Sequence, residues 1–106
     1  MQKIITKYFE SWNSHNIEKL SSLFDEKITL KDWELSAHGI NQVIDANQKI
    51  FKSAPKIRAE IIDLSFNEKH IYANLVIHID DHRKLNVIDV IKIHNGKIIS
   101  ISAYRQ

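Results

Sequence analysis

The most constraining stretch of the chain is Lys84 to Gln106, in which Leu85–His94 and Lys97–Gln106 flank the dipeptide Asn95-Gly96. Asn-Gly supports the two positive φ angles of a type I′ turn, so the segment predicts a tight antiparallel hairpin. Strand side chains alternate between faces, which puts Asp89 beside Leu85, Val87, Ile91 and Ile93 on a face that is otherwise apolar. A carboxylate among aliphatic side chains is costly unless it is protonated or given polar partners. Such an acid either fixes the register of the core or meets a ligand.

The rest of the chain predicts what covers that face. Ile4, Ile5, Tyr8, Phe9 and Trp12 fall on one side of a helix over 3–14. Ser14-His15-Asn16 breaks it, Asn16 is a candidate N-cap, and Ile17, Leu20, Leu23 and Phe24 form the inward face of a short second helix. A turn is expected at Asp25-Glu26, then a strand from Lys27 to Trp33. Glu34–Ala37 is ambiguous. A third helix starts near Gly39 or Asn41 and ends near Ser53, before Ala54-Pro55, with Asn47 as the polar break in its Ile40, Val43, Ile44, Ile50, Phe51 stripe.

After Pro55 the period becomes two, giving strands over 56–66 and 70–79 ahead of the closing hairpin. Helices grouped before strands predict an α+β fold, a curved sheet packed on three N-terminal helices, over one domain spanning 1–106. With two glycines in the chain, curvature must come from twist or bulges.

Composition excludes several classes. There is no cysteine, hence no disulfide framework or thiolate metal site. The net charge of +2 is dispersed: residues 1–53 carry seven Lys and seven Asp/Glu, and the remainder eight Lys/Arg and six Asp/Glu. No basic stripe of the kind nucleic acid requires is present. No segment is long and apolar enough to span a bilayer, and the opening residues do not read as a secretory signal, so a cytoplasmic location is expected. His78-x-Asp80-Asp81-His82 is the one cluster of metal-ligand types, and it reads as a charged hairpin tip.

The order of elements resembles the nuclear transport factor 2-like superfamily, within it the SnoaL-like and ketosteroid-isomerase-like group. The resemblance runs from Ile4 to Tyr104, carried by Tyr8-Phe9-Glu10-Ser11-Trp12, Leu23-Phe24-Asp25, Lys31-Asp32, His38-Gly39, Val87-Ile88-Asp89 and Asn95-Gly96-Lys97-Ile98-Ile99. It implies a cone-shaped, cystatin-like fold with an antiparallel or mixed sheet. It also implies proton abstraction α to a carbonyl of an apolar substrate such as a steroid, terpenoid or polyketide, without metal or cofactor. Asp32 would be the base, with Tyr8 and a neutral Asp89 donating hydrogen bonds to the developing enolate; the neutral acid of ketosteroid isomerase is a well-worked case. Trp33 stands where those isomerases often have proline.

Each residue also has a structural reading: Tyr8 as a core phenol, Asp32 as a strand-end acid facing water, Asp89 as a hydrogen-bonded structural carboxylate. Trp12, Trp33 and Phe51 are candidates for a substrate pocket or for plain core. Asn47 would meet a ligand, or bond Asp89 or Tyr8. The alternative function is a non-catalytic module that binds a small hydrophobic ligand or a protein. Ile88 and Val90 would lie on the outer sheet face, and outward aliphatics there predict a homodimer.

Overall fold

The structure is a computed structural model describing residues 2–106. Its elements are α1 (Gln2–Asn13), α2 (Ile17–Leu23), β1 (Phe24–Lys31), β2 (Ser36–His38), α3 (Ile40–Ser53), β3 (Arg58–Phe66), β4 (His70–His78), β5 (Lys84–His94) and β6 (Lys97–Arg105). The six strands form one sheet in the order β2-β1-β6-β5-β4-β3. All pairings are antiparallel except β1 with β6, which is parallel.

The closing hairpin forms as its sequence dictates: Asn95 and Gly96 have φ of 51° and 73°. Its first strand presents Val87, Asp89 and Ile91 to the core, all buried. The same face continues through Ile71, Ala73 and Leu75 of β4, and Ile5, Tyr8 and Phe9 of α1 and Val43 of α3 join it in one apolar cluster. Fully burying an aliphatic side chain stabilises by about 1.5–3 kcal/mol, so this cluster is what holds helices to sheet.

Asn16 caps α2, its Oδ1 accepting from the Lys19 amide at 3.1 Å. The expected turn at Asp25-Glu26 is absent, and β1 begins at Phe24 instead of Lys27. Asp25 Oδ1 does accept from the Lys27 amide at 2.9 Å, the local bend that aspartate favours. The chain absorbs that bend as an irregularity between Phe24 and Thr29 within the strand. The ambiguous segment becomes β2, antiparallel to β1. Gly39, with φ 86° and ψ 156°, then starts α3 in a conformation that is essentially glycine-only.

Curvature comes from bulges. Ile61 pairs with Leu75 and Asp63 with Asn74, which leaves Ile62 as an extra residue in β3. Ile93 pairs with Ile98 and Lys92 with Ser100, which leaves Ile99 extra in β6. The second bulge switches the faces of β6, so Ile98 and Ile101 both point inward despite their odd spacing. Neither of the two simple alternating sets of β6 is the inward one.

The far edge of the sheet is clamped by the end of α1. The Asn13 side chain donates to the Ala59 carbonyl at 2.9 Å and accepts from its amide at 2.7 Å, imitating a paired strand. His15, at φ 54°, bonds the Ile57 carbonyl at 2.8 Å through Nε2. That acceptor requires the proton on Nε2.

Candidate functional site

Between the helices and the open end of the concave sheet lies a cavity of about 320 Å³. Its walls are largely aliphatic, from Leu30, Leu75, Ile77, Leu85, Val87 and Ile101. Tyr8, Asp32 and Asp89 enter it from three different elements or loops. Tyr8 lies mid-α1 on the buried stripe, Asp89 lies mid-β5 in register with Ala73 and Ala103, and Asp32 follows the last residue of β1. The two flanking alanines are small, which leaves room over the Asp89 carboxyl.

Asp89 is 8% exposed and Tyr8 5%. Among the described residues neither side chain has a protein hydrogen-bond partner, and no side-chain polar atom is both fully enclosed and unpartnered. Their oxygens therefore open onto the cavity. Burial pushes the Asp89 carboxyl up to about 7, and the negative charge of Asp32 adds to the effect. Burial likewise holds the Tyr8 phenol well above its ordinary range, and the charge of Asp89 raises it further. Tyr8 thus keeps its proton at neutrality, and Asp89 keeps its own below about pH 7, in a space of low polarity.

Asp32 is anchored differently. Its Oδ1 accepts from the backbone amides of Glu34 and Leu35 at 2.7 and 2.8 Å, and its own amide bonds the Leu35 carbonyl at 3.0 Å. This closed turn fixes the carboxylate at the mouth, half-buried and not in the strand interior. Its second oxygen has no partner among the described residues.

The other candidates divide. Trp12 donates from Nε1 to Asn47 Oδ1 at 3.0 Å, and Asn47 Nδ2 donates to the Val43 carbonyl at 2.9 Å. Indole nitrogen is donor-only, so the orientation of the Asn47 amide is fixed. Asn47 thus bonds Trp12, not Asp89 or Tyr8. Both Trp12 and Asn47 line the cavity, as does Trp33, which is 43% exposed at the mouth. Phe51 does not line it. Its ring sits behind Trp12 at 5.3 Å, edge-on, and stacks on His15 at 4.2 Å. The stripe periodicity that suggests Phe51 as a wall residue reports burial and cannot tell wall from packing. The Asn13–His15 clamp carries no sequence signal, because its partners lie more than forty residues away.

Next to the cavity-lining Ile77 and Ile79, His78 bonds Glu60 at 2.8 Å and Asp80 pairs with Arg83 at 2.9 Å. No group of three or more metal-ligand side chains gathers among the described residues. No helix there is long and apolar enough to cross a membrane.

With this geometry in hand, comparison with known proteins gives a family. The SnoaL-like domain description matches residues 5–101, and the chain belongs to that family. No curated protein is matched by the sequence. Among solved structures, a candidate polyketide cyclase from Sinorhizobium meliloti superposes with TM-score 0.88 at 15% identity, over 95% of this chain and 93% of that one. A protein with a ketosteroid isomerase-like fold from Catenulispora acidiphila, in complex with trimethylamine, gives 0.84 at 18%, over 95% and 83%. A cystatin-fold protein from Novosphingobium aromaticivorans gives 0.86 at 12%, over 95% and 94%. At these identities the likeness establishes the fold alone: nuclear transport factor 2-like, with three helices and a curved, mixed, six-stranded sheet.

Proposed function

We propose that the chain is an isomerase or lyase that removes a proton α to a carbonyl group of an apolar substrate. The observation that carries this reading is the pair of unpartnered, proton-bearing oxygens, on Tyr8 and Asp89, opening onto one largely aliphatic cavity whose mouth holds Asp32. The Asp32 carboxylate takes the α proton and the electron pair of that C–H bond moves into the carbonyl, forming an enolate. The Tyr8 hydroxyl and the neutral Asp89 donate hydrogen bonds to its oxygen. Asp32 returns the proton at the γ carbon, so no electron acceptor is consumed. Each preorganised donor in such a site contributes on the order of 3 kcal/mol to lowering the barrier. Trp12, Trp33 and Asn47 form part of the wall against which the substrate body packs, with Phe51 buttressing Trp12.

The test is turnover of a β,γ-unsaturated ketone panel of steroid, terpenoid and polyketide skeletons. The expected result is isomerisation by the wild type and a loss of at least about a hundredfold in kcat for Asp32→Asn, with an unchanged circular dichroism spectrum. A second reading is favoured by the two amide bonds to Asp32 Oδ1, which give that carboxylate a structural role. In that reading the chain is a module that binds an apolar metabolite without transforming it. Saturable binding of the same ketones with no turnover would establish the second reading and refute the first.

The outer sheet face fits a homodimer contact. Ile88 and Val90 lie in register with Tyr104 and Tyr72, which are 59% and 38% exposed. Light scattering on the wild type and on Ile88→Glu tests this: a dimer that the substitution splits is expected, and a monomeric wild type would overturn it.

A further inference from the structure

Beside the cavity lies a second recess of about 320 Å³, formed where β1 ends and β6 runs on. Asp32, Trp33 and Ala103 line both spaces, so the two adjoin at these residues. Beyond them the recess is lined by Lys31, Ser102, Tyr104 and Arg105. β1 pairs with β6 only as far as Lys31 with Ser102, whereas β6 pairs with β5 up to Arg105 with Val87. The last residues of β6 are therefore free on the β1 side.

The bulge at Ile99 decides what faces where. After it, Ile101, Ala103 and Arg105 share the concave face, in register with Ile91, Asp89 and Val87. Arg105 thus continues the row that walls the cavity, two residues past the alanine opposite Asp89. Lys31 and Arg105 are exposed and, like most cations of the chain, form no ion pair with any described carboxylate. The charges are segregated: the cavity holds Asp32, Glu34 and Asp89 and no cation, while the recess holds two cations and, at the junction only, Asp32. Asp32 Oδ1 is turned into its own loop by two amide bonds. An anion in the recess is accordingly driven to the far end, toward Arg105. Exposed Trp33 supplies flat apolar surface between the two spaces.

We propose that the recess is a subsite for a carboxylate carried by the ligand, held by Arg105, so that the ligand class is an apolar carbonyl compound bearing a terminal acid. This rests on the reading of the cavity as the ligand site and narrows it. The planar fork of arginine matches a carboxylate with two parallel N–H bonds, which a lysine does not reproduce.

The experiment uses a matched probe pair, 5-phenylpentanoate and its methyl ester, titrated into the whole chain by isothermal calorimetry and by tryptophan fluorescence. Trp12 and Trp33, the two tryptophans of the chain, both line the cavity. The acid is expected to bind about tenfold more tightly than the ester, equivalent to about 1.4 kcal/mol. Arg105→Gln is expected to abolish that preference while leaving ester affinity unchanged. Raising salt should weaken the acid and not the ester. If the ester binds and the acid is not preferred, or if the preference survives Arg105→Gln, the subsite is refuted and the cavity stands. If neither probe binds the wild type, the subsite is refuted, and the ketone panel decides the cavity separately.

Discussion

Replacing Asp89 with Asn should remove a pH dependence from the stability of this protein. The carboxyl titrates at about 7 in the fold, against an ordinary 3.8, because it is buried and faces the charge of Asp32. At about 1.4 kcal/mol for each tenfold change in acidity, that raise is worth about 4 kcal/mol. The sign follows from proton counting. Between pH 4 and 7 the native state binds a proton that the unfolded chain has lost, so stability falls as pH rises through that window and levels off above it. About 3 kcal/mol of this is lost between pH 5 and 8. The amide that replaces the carboxyl cannot titrate, and the side chain keeps its shape. Urea unfolding followed by circular dichroism at pH 5 and pH 8 gives the four stabilities required. The difference between variant and wild type should move by about 3 kcal/mol in favour of the variant on going to pH 8. Contributions from groups other than residue 89 are common to both proteins and largely cancel. If the two pH curves run parallel, the carboxyl is not held neutral by its surroundings and the reasoning fails.

Three further outcomes are expected. Gly39→Ala should destabilise by about 1–3 kcal/mol by urea unfolding, because the new Cβ would meet nothing closer than 3.8 Å and the cost lies in the backbone angles alone. Asn13→Ala should cost about 1–2 kcal/mol and speed amide exchange at Ala59 on the freed edge of β3, since two hydrogen bonds are lost together. In the proposed reaction, kcat/KM should fall above pH 7 as Asp89 loses its proton, and Asp89→Asn should flatten that limb while lowering the plateau.

Much of the fold is legible in the sequence because its strongest signals are local. Asn95-Gly96 determines the hairpin, the hairpin places Asp89, and the helical stripe of residues 4–12 places Tyr8 opposite it. What is not legible depends on distant pairing. Nothing in Phe24–Lys31 announces a parallel partner seventy residues later, and Asp25 advertises a turn that the sheet converts into a kink. The bulges at Ile62 and Ile99 cannot be read from alternating hydrophobicity, since each extra isoleucine follows another isoleucine and either could face inward. That second bulge matters most for the site, because it turns Arg105 to the concave face. Alternation places Asp32 within a strand, yet it closes the loop after that strand, held by Glu34 and Leu35. Asn47 interrupts an apolar stripe for a reason only the fold reveals: it receives the indole N–H of Trp12.

The central claim is that Tyr8 and Asp89 converge on one oxygen of a ligand seated in the cavity. A crystal structure of the protein soaked with 2-naphthol, whose hydroxyl stands in for the enolate oxygen, tests it most directly. The account predicts that oxygen within hydrogen-bond distance of both the Tyr8 hydroxyl and an Asp89 carboxyl oxygen, with the rings against the aliphatic wall and Asp32 across the mouth. A naphthol bound with its oxygen elsewhere, or Tyr8 and Asp89 bonded to each other and closed to the ligand, would contradict it.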